Sequence, residues 1–88
     1  MVNELTGIYL KQIRKDKKIS QCTIAEHLRT SAQFISNIEA GRSPLPVRYV
    51  RAYAAILGID PILVLEEMTN DYSRHIHQLF RQGIDLDA

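Results

Sequence analysis

Apolar residues return every three or four positions along almost the whole chain, while glycine and proline, the usual punctuation, are scarce. That spacing is one face of a 3.6-residue helix repeated, so the sequence predicts an all-α fold. Leu5, Ile8 or Tyr9, Leu10 and Ile13 mark a first helix from about residue 5 to Lys17, closed by the basic pair Lys17-Lys18, which suits the negative end of a helix. Ser20 caps a second helix, Gln21 to Leu28, that turns Ile24, Ala25 and Leu28 inward. Ser31 caps a third, Ala32 to Ala40, stopped by Gly41, where the left-handed turn of a helix end costs least. Two prolines, Pro44 and Pro46, make residues 42–46 a loop. A fourth helix is expected from about Val47 to Leu57, with Val50, Ala54 and Leu57 as its inner stripe and Gly58 as its stop. Asp60-Pro61 is a start signal, a capping side chain followed by proline at the first helical position. From there Ile62, Leu65, Met68 or Thr69, Tyr72, Ile76, Leu79 and Phe80 sustain one stripe nearly to Gly83, with Thr69-Asn70-Asp71 as the place where this helix could break in two.

The third helix has two unlike sides. Plotted at 100° per residue, Phe34, Ile35 and Ile38 fall on one side and Ala32, Gln33, Ser36, Asn37 and Ala40 on the other, a face that is small, polar and uncharged. Glu39 falls beside Ile35, at the edge of the buried side. A bare carboxylate is costly there, so Glu39 needs a cation.

Composition narrows the class. A chain of 88 residues, 45% hydrophobic and 24% charged, makes one small folded domain. Cys22 is the sole cysteine, which excludes an intrachain disulfide or a multi-cysteine metal site and suits a reducing cytosol. Glu4 and Lys11 interrupt the N-terminal stretch, arguing against a signal peptide, and the longest near-apolar run, YAAILGI at 53–59, is too short to span a membrane. A cytoplasmic protein is expected. The net charge of +1 hides an asymmetry: residues 1–51 carry nine bases and four acids, residues 52–88 two bases and six acids. The N-terminal half is therefore the part suited to a polyanion.

The pattern Gln21-x-x-Ile24-Ala25-x-x-Leu28, followed by Ser31-x-x-x-Ile35-Ser36-x-Ile38-Glu39-x-Gly41-Arg42, resembles the helix-turn-helix of the Cro/repressor (XRE-type) family of bacterial and phage transcription regulators. The likeness runs from about residue 5 to 65. It implies a five-helix, lambda-repressor-like DNA-binding domain over residues 1–68, with residues 69–88 as a C-terminal helical extension. It also implies that the third helix enters the major groove, with Ala32, Gln33, Ser36 and Asn37 facing base edges and Gln21, Ser31, Arg42 and Arg48 holding backbone phosphates. By the same resemblance Arg14, late in the first helix, is the cation for Glu39. The chemistry agrees: small side chains allow close approach, an amide can bond adenine N6 and N7 together, and Ala32 can meet a thymine methyl. One departure is Arg29-Thr30, where the family has glycine and an aliphatic residue in its tight turn. A left-handed Arg29 would cost about 1 kcal/mol relative to glycine. Phe34 is expected to pack over the helix surface and not to read DNA.

Tyr72, Ile76, Leu79 and Phe80 extend past the core that the resemblance requires. Either they fold back on their own domain or they form a two-fold dimer seam. The seam is the preferred reading, because one monomer of this size makes too few base contacts for tight specific binding. The expected function is a sequence-specific DNA-binding transcription regulator, a repressor holding an inverted-repeat operator as a homodimer on double-stranded DNA. Two rivals share the DNA-binding half: the antitoxin of a toxin pair, with a protein partner bound by residues 66–88, and the controller protein of a restriction–modification system. No cofactor or metal is expected, since His75 and His77 lie on different faces of a helix. Cys22 is expected to be inert. Nothing resembles a catalytic triad, a phosphate-cradling glycine loop or a catalytic carboxylate pair, so no enzyme is expected. Residues 83–88, with Asp85 and Asp87, are expected to form a loose acidic end.

Overall fold

The first four helices of the computed structural model, which describes residues 3–83, stop in one way. After α1 (Glu4–Asp16), α2 (Gln21–Leu28), α3 (Ala32–Glu39) and α4 (Val50–Leu57), a single residue turns left-handed: Lys18, Arg29, Gly41 and Gly58 in turn. The N–H after it then reaches back to a carbonyl five residues earlier. Ile19 bonds Arg14 at 3.0 Å, Thr30 bonds Ala25 at 2.9 Å, Arg42 bonds Asn37 at 2.9 Å and Ile59 bonds Ala54 at 3.0 Å. This pairing satisfies helix-end carbonyls that would otherwise lack donors. Arg29 does adopt the conformation that the turn demands, at φ 55°. Lys18, at φ 57°, takes it too, where the sequence suggests only a charged helix end, and α1 closes at Asp16, one residue short of the expected Lys17.

A 3-10 turn (Val47–Tyr49) precedes α4, and α5 runs Pro61–Arg81. The described residues thus form five α-helices and no strand, as the all-α expectation required. Two further boundaries differ from that expectation, and the break left open at Thr69-Asn70-Asp71 does not occur. The third helix ends at Glu39, with Ala40 as its cap. The fourth begins at Val50: no side chain caps the turn at Val47, and the Tyr49 N–H bonds Pro46 O at 2.9 Å, which closes a tighter loop. The fifth is not broken at 69–71. Thr69 Oγ1 donates to Leu65 O at 2.9 Å along the helix, and Asp71 is locked against α1. The expected acidic end lies outside the described residues from residue 84 on.

Leu10, Ile24, Ile35, Ile38, Tyr53, Leu57 and Val64 form the fully buried centre. Gly7 lets α1 lie directly on the end of α3, since a Cβ there would stand 2.5 Å from Glu39 O and 2.6 Å from Ile38 O. At the start of α1, Asn3 makes no side-chain cap. Asp71 of α5 supplies it instead, accepting from Leu5 N–H (2.8 Å), Thr6 N–H (2.9 Å) and Thr6 Oγ1 (2.6 Å). Apart from Met68, the apolar stripe expected of α5 is not its buried face. Val64, Met68 and Asp71 face the domain, while Ile62, Leu65, Tyr72 and Phe80 are exposed.

Candidate nucleic-acid interface

Two serines set the helices that carry the candidate surface. Ser20 Oγ accepts from the Thr23 N–H at 3.0 Å, and Ser31 Oγ accepts from the Phe34 N–H at 3.1 Å. Ser31 is exposed, and its hydroxyl hydrogen remains free to donate outward from the start of α3. Behind α3 the cation for Glu39 is Arg14. Its Nε donates to Oε2 at 2.6 Å and its Nη2 to Oε1 at 3.0 Å, while Nη1 donates to Ile19 O at 2.9 Å. The bond to Glu39 holds the Arg14 pKa above its ordinary value, against the lowering effect of burial. A fork-to-fork pair of this kind fixes orientation, and removing one partner of a buried pair typically costs about 3–5 kcal/mol.

Gln21 joins that pair, donating Nε2 to Glu39 Oε1 at 3.0 Å. Its amide keeps one N–H and its oxygen for a further partner. The start of α2 is thereby tied to the end of α3. Within the same core the Tyr53 hydroxyl is buried without a hydrogen-bond partner. Burial, and then the negative field of Glu39, push its pKa well above the ordinary tyrosine value.

On the outer side of α3, Gln33 and Ala40 are exposed and Ala32, Ser36 and Asn37 are half-buried. Gln33 Nε2 donates to Asn37 Oδ1 at 3.0 Å, and Arg42 Nε donates to the same oxygen at 3.2 Å. Arg48 is exposed, with its guanidinium 4.8 Å from the Tyr49 ring centre. Tyr49 meets Phe34 edge-on, centres 5.7 Å apart. Phe34 therefore packs on the 3-10 turn and steadies the segment that carries Arg48.

Ala32, Gln33, Ser36 and Asn37 thus share one face, Arg42 is bonded into it, and Gln21 and Ser31 stand at the starts of α2 and α3. Tyr72, Ile76, Leu79 and Phe80 lie apart, on α5. Sequence reasoning missed three connections: Gln21 to Glu39, Arg42 to Asn37, and Asp71 to α1. Gln21 to Glu39 and Asp71 to α1 have no local signal, because only the fold brings those residues together, whereas Arg42 reaches back five residues to Asn37 across the left-handed turn at Gly41. Among the described residues, no three His, Cys, Asp or Glu side chains are grouped to hold a metal, and no helix is long and apolar enough to cross a membrane. Cys22 is exposed.

Residues 6–66 match the family model of a helix-turn-helix domain. Two crystal structures of the clp gene regulator ClgR from Corynebacterium glutamicum share the fold. One aligns with a TM-score of 0.69 and 26% identity, over 89% of this chain and 83% of its own. The other aligns with a TM-score of 0.67 and 27% identity, over 80% of this chain and 91% of its own. No curated protein sequence gives a significant match.

Proposed function

This chain belongs to the helix-turn-helix domain family, and from that premise we propose that it is a DNA-binding transcription regulator, a cytoplasmic repressor that holds an inverted-repeat operator as a homodimer. The observation that carries the reading is the outer face of α3: small, uncharged and hydrogen-bonded, with Ser31 at its start and Arg42 bonded into its far end. Two structures that share the fold bear the name of a gene regulator. Inserted by its N-terminal part, α3 brings Ala32, Gln33, Ser36 and Asn37 to base edges in the major groove. The Ser31 hydroxyl, the spare Gln21 N–H, Arg42 and Arg48 hold phosphates on either side, giving affinity and register without sequence information.

The outward stripe of α5 supports the dimer. Ile62, Leu65, Thr69, Tyr72, Ile76 and Leu79 alternate three- and four-residue steps, which is the seam of a seven-residue repeat, with Phe80 beside it. A second copy laid antiparallel pairs Ile62 with Leu79 and Leu65 with Ile76. That direction also opposes the two helix dipoles favourably and sets the acidic first half of α5, with Asp60, Glu66 and Glu67, beside the basic second half, with Arg74 and Arg81. A different protein on the same stripe, as in a toxin–antitoxin pair, is the outcome that a mixed complex in sedimentation would favour.

Selection from randomised duplexes at low salt, followed by salt titration of the winners, tests the proposal. A two-fold symmetric motif should be enriched, with log affinity falling by about 0.9 per phosphate contact for each unit of log salt. No enrichment, together with no binding at low salt, would overturn it.

A further inference from the structure

The bonds on the outer face of α3 decide what each amide there has left to offer. Arginine Nε carries a hydrogen and no lone pair for bonding, so the Asn37 atom 3.2 Å from Arg42 Nε must be the carbonyl oxygen. That choice in turn obliges Gln33, 3.0 Å from the same oxygen, to present its nitrogen. Two amide orientations that are ordinarily ambiguous are thereby set by one donor. The backbone holds that donor in place, because the N–H groups of Arg42 and Ser43 both bond the main-chain oxygen of Asn37, at 2.9 and 3.3 Å.

Both lone pairs of Asn37 Oδ1 are taken, so Asn37 offers only its two Nδ2 hydrogens. Gln33 keeps its oxygen and one N–H. In the major groove adenine presents an acceptor and a donor, N7 and N6–H, whereas guanine presents two acceptors, N7 and O6. Resting on the DNA-binding reading above, we propose that Asn37 is specific for the two-acceptor edge of guanine, that Gln33 reads adenine, and that Arg42 is the positioning residue that makes the two amides differ. Residues 33 and 37 are one helical step of about 6 Å apart, so the two bases lie within about two base-pair steps of about 3.4 Å.

The test repeats the randomised-duplex selection with the full chain and three variants. The wild-type chain should enrich a guanine close to an adenine in each half-site. Asn37→Ala should relax the guanine alone, and Asn37→Asp, which can only accept, should exchange it for cytosine. Arg42→Met removes the donor at similar length and frees the Asn37 oxygen, so adenine should become acceptable at that same position. Replacing the guanine by 7-deazaguanine should weaken wild-type binding about tenfold and leave Asn37→Ala unaffected. Arg42→Met also removes a phosphate contact and should weaken every sequence, so the readout is the guanine-to-adenine ratio at the Asn37 position. Relaxation of an adenine by Asn37→Ala, or a guanine preference that Arg42→Met leaves unchanged, would overturn the assignment while leaving DNA binding intact. Failure of the wild-type chain to enrich any sequence would instead overturn the DNA reading, and the assignment with it.

Discussion

Asp71 belongs to α5 but accepts three hydrogen bonds at the start of α1, doing for Leu5 and Thr6 what an N-cap side chain would do. Asp71→Ala leaves those donors buried and unpaired, and should cost about 2 kcal/mol, a drop in Tm of roughly 8–16 °C by thermal unfolding. The sequence marks Asp71 only as part of a possible break at 69–71, because nothing local says that its carboxylate is used by another helix. Tyr53 is the converse, a buried hydroxyl with no partner. Tyr53→Phe should raise stability by about 1 kcal/mol in urea denaturation at neutral pH. Its pH dependence follows from the raised pKa. Below about pH 10, the ordinary tyrosine value, folded and unfolded chains both hold the proton and this contribution is level. Above it the unfolded chain releases a proton that the folded chain keeps, so stability falls as pH rises toward the folded value. Tyr53→Phe should remove that alkaline slope.

Helix starts were the most legible elements, because Ser20, Ser31 and Asp60 each announce a cap that acts within three residues. Helix ends were legible where glycine marks them, at Gly41 and Gly58, and less so where a charged residue takes the same left-handed turn. Lys18→Gly and Arg29→Gly should each stabilise the fold by about 0.5–1 kcal/mol, seen as a rise of a few degrees in Tm, because glycine adopts this conformation without the steric cost. A fall in stability for both would mean that their side chains contribute more than the backbone strain removes. Gly7 was the overlooked clue: an isolated glycine inside a helical pattern often marks a close backbone approach, and here it seats α1 on α3. In α5, periodicity found an apolar stripe correctly but could not say which of two faces meets the domain. Val64 and Met68 turned out to do so.

The described chain is elongated, 43 Å by 24 and 22 Å. Its longest helix, 21 residues or about 32 Å, carries an uncovered apolar seam along much of that length. Exposed Tyr72 and Phe80 on one continuous face are a surface that a monomer seldom leaves open. Leu79→Asp should convert a sedimenting dimer to monomer and weaken binding to a two-half-site duplex far more than to a single half-site. A variant that still sedimented as a dimer would place the seam elsewhere. The charge asymmetry was legible at this scale before any fold was known, whereas the bonded face of α3 was not, since Arg42 joins Asn37 only after Gly41 turns the chain. The most direct measurement compares wild type and Gln33→Ala on the selected duplex and on a scrambled one across a salt series. The expected result is a loss of roughly 5- to 150-fold on the selected duplex, with affinity for the scrambled duplex and the salt slope unchanged. An equal loss on both would mean that α3 does not present this face to the bases.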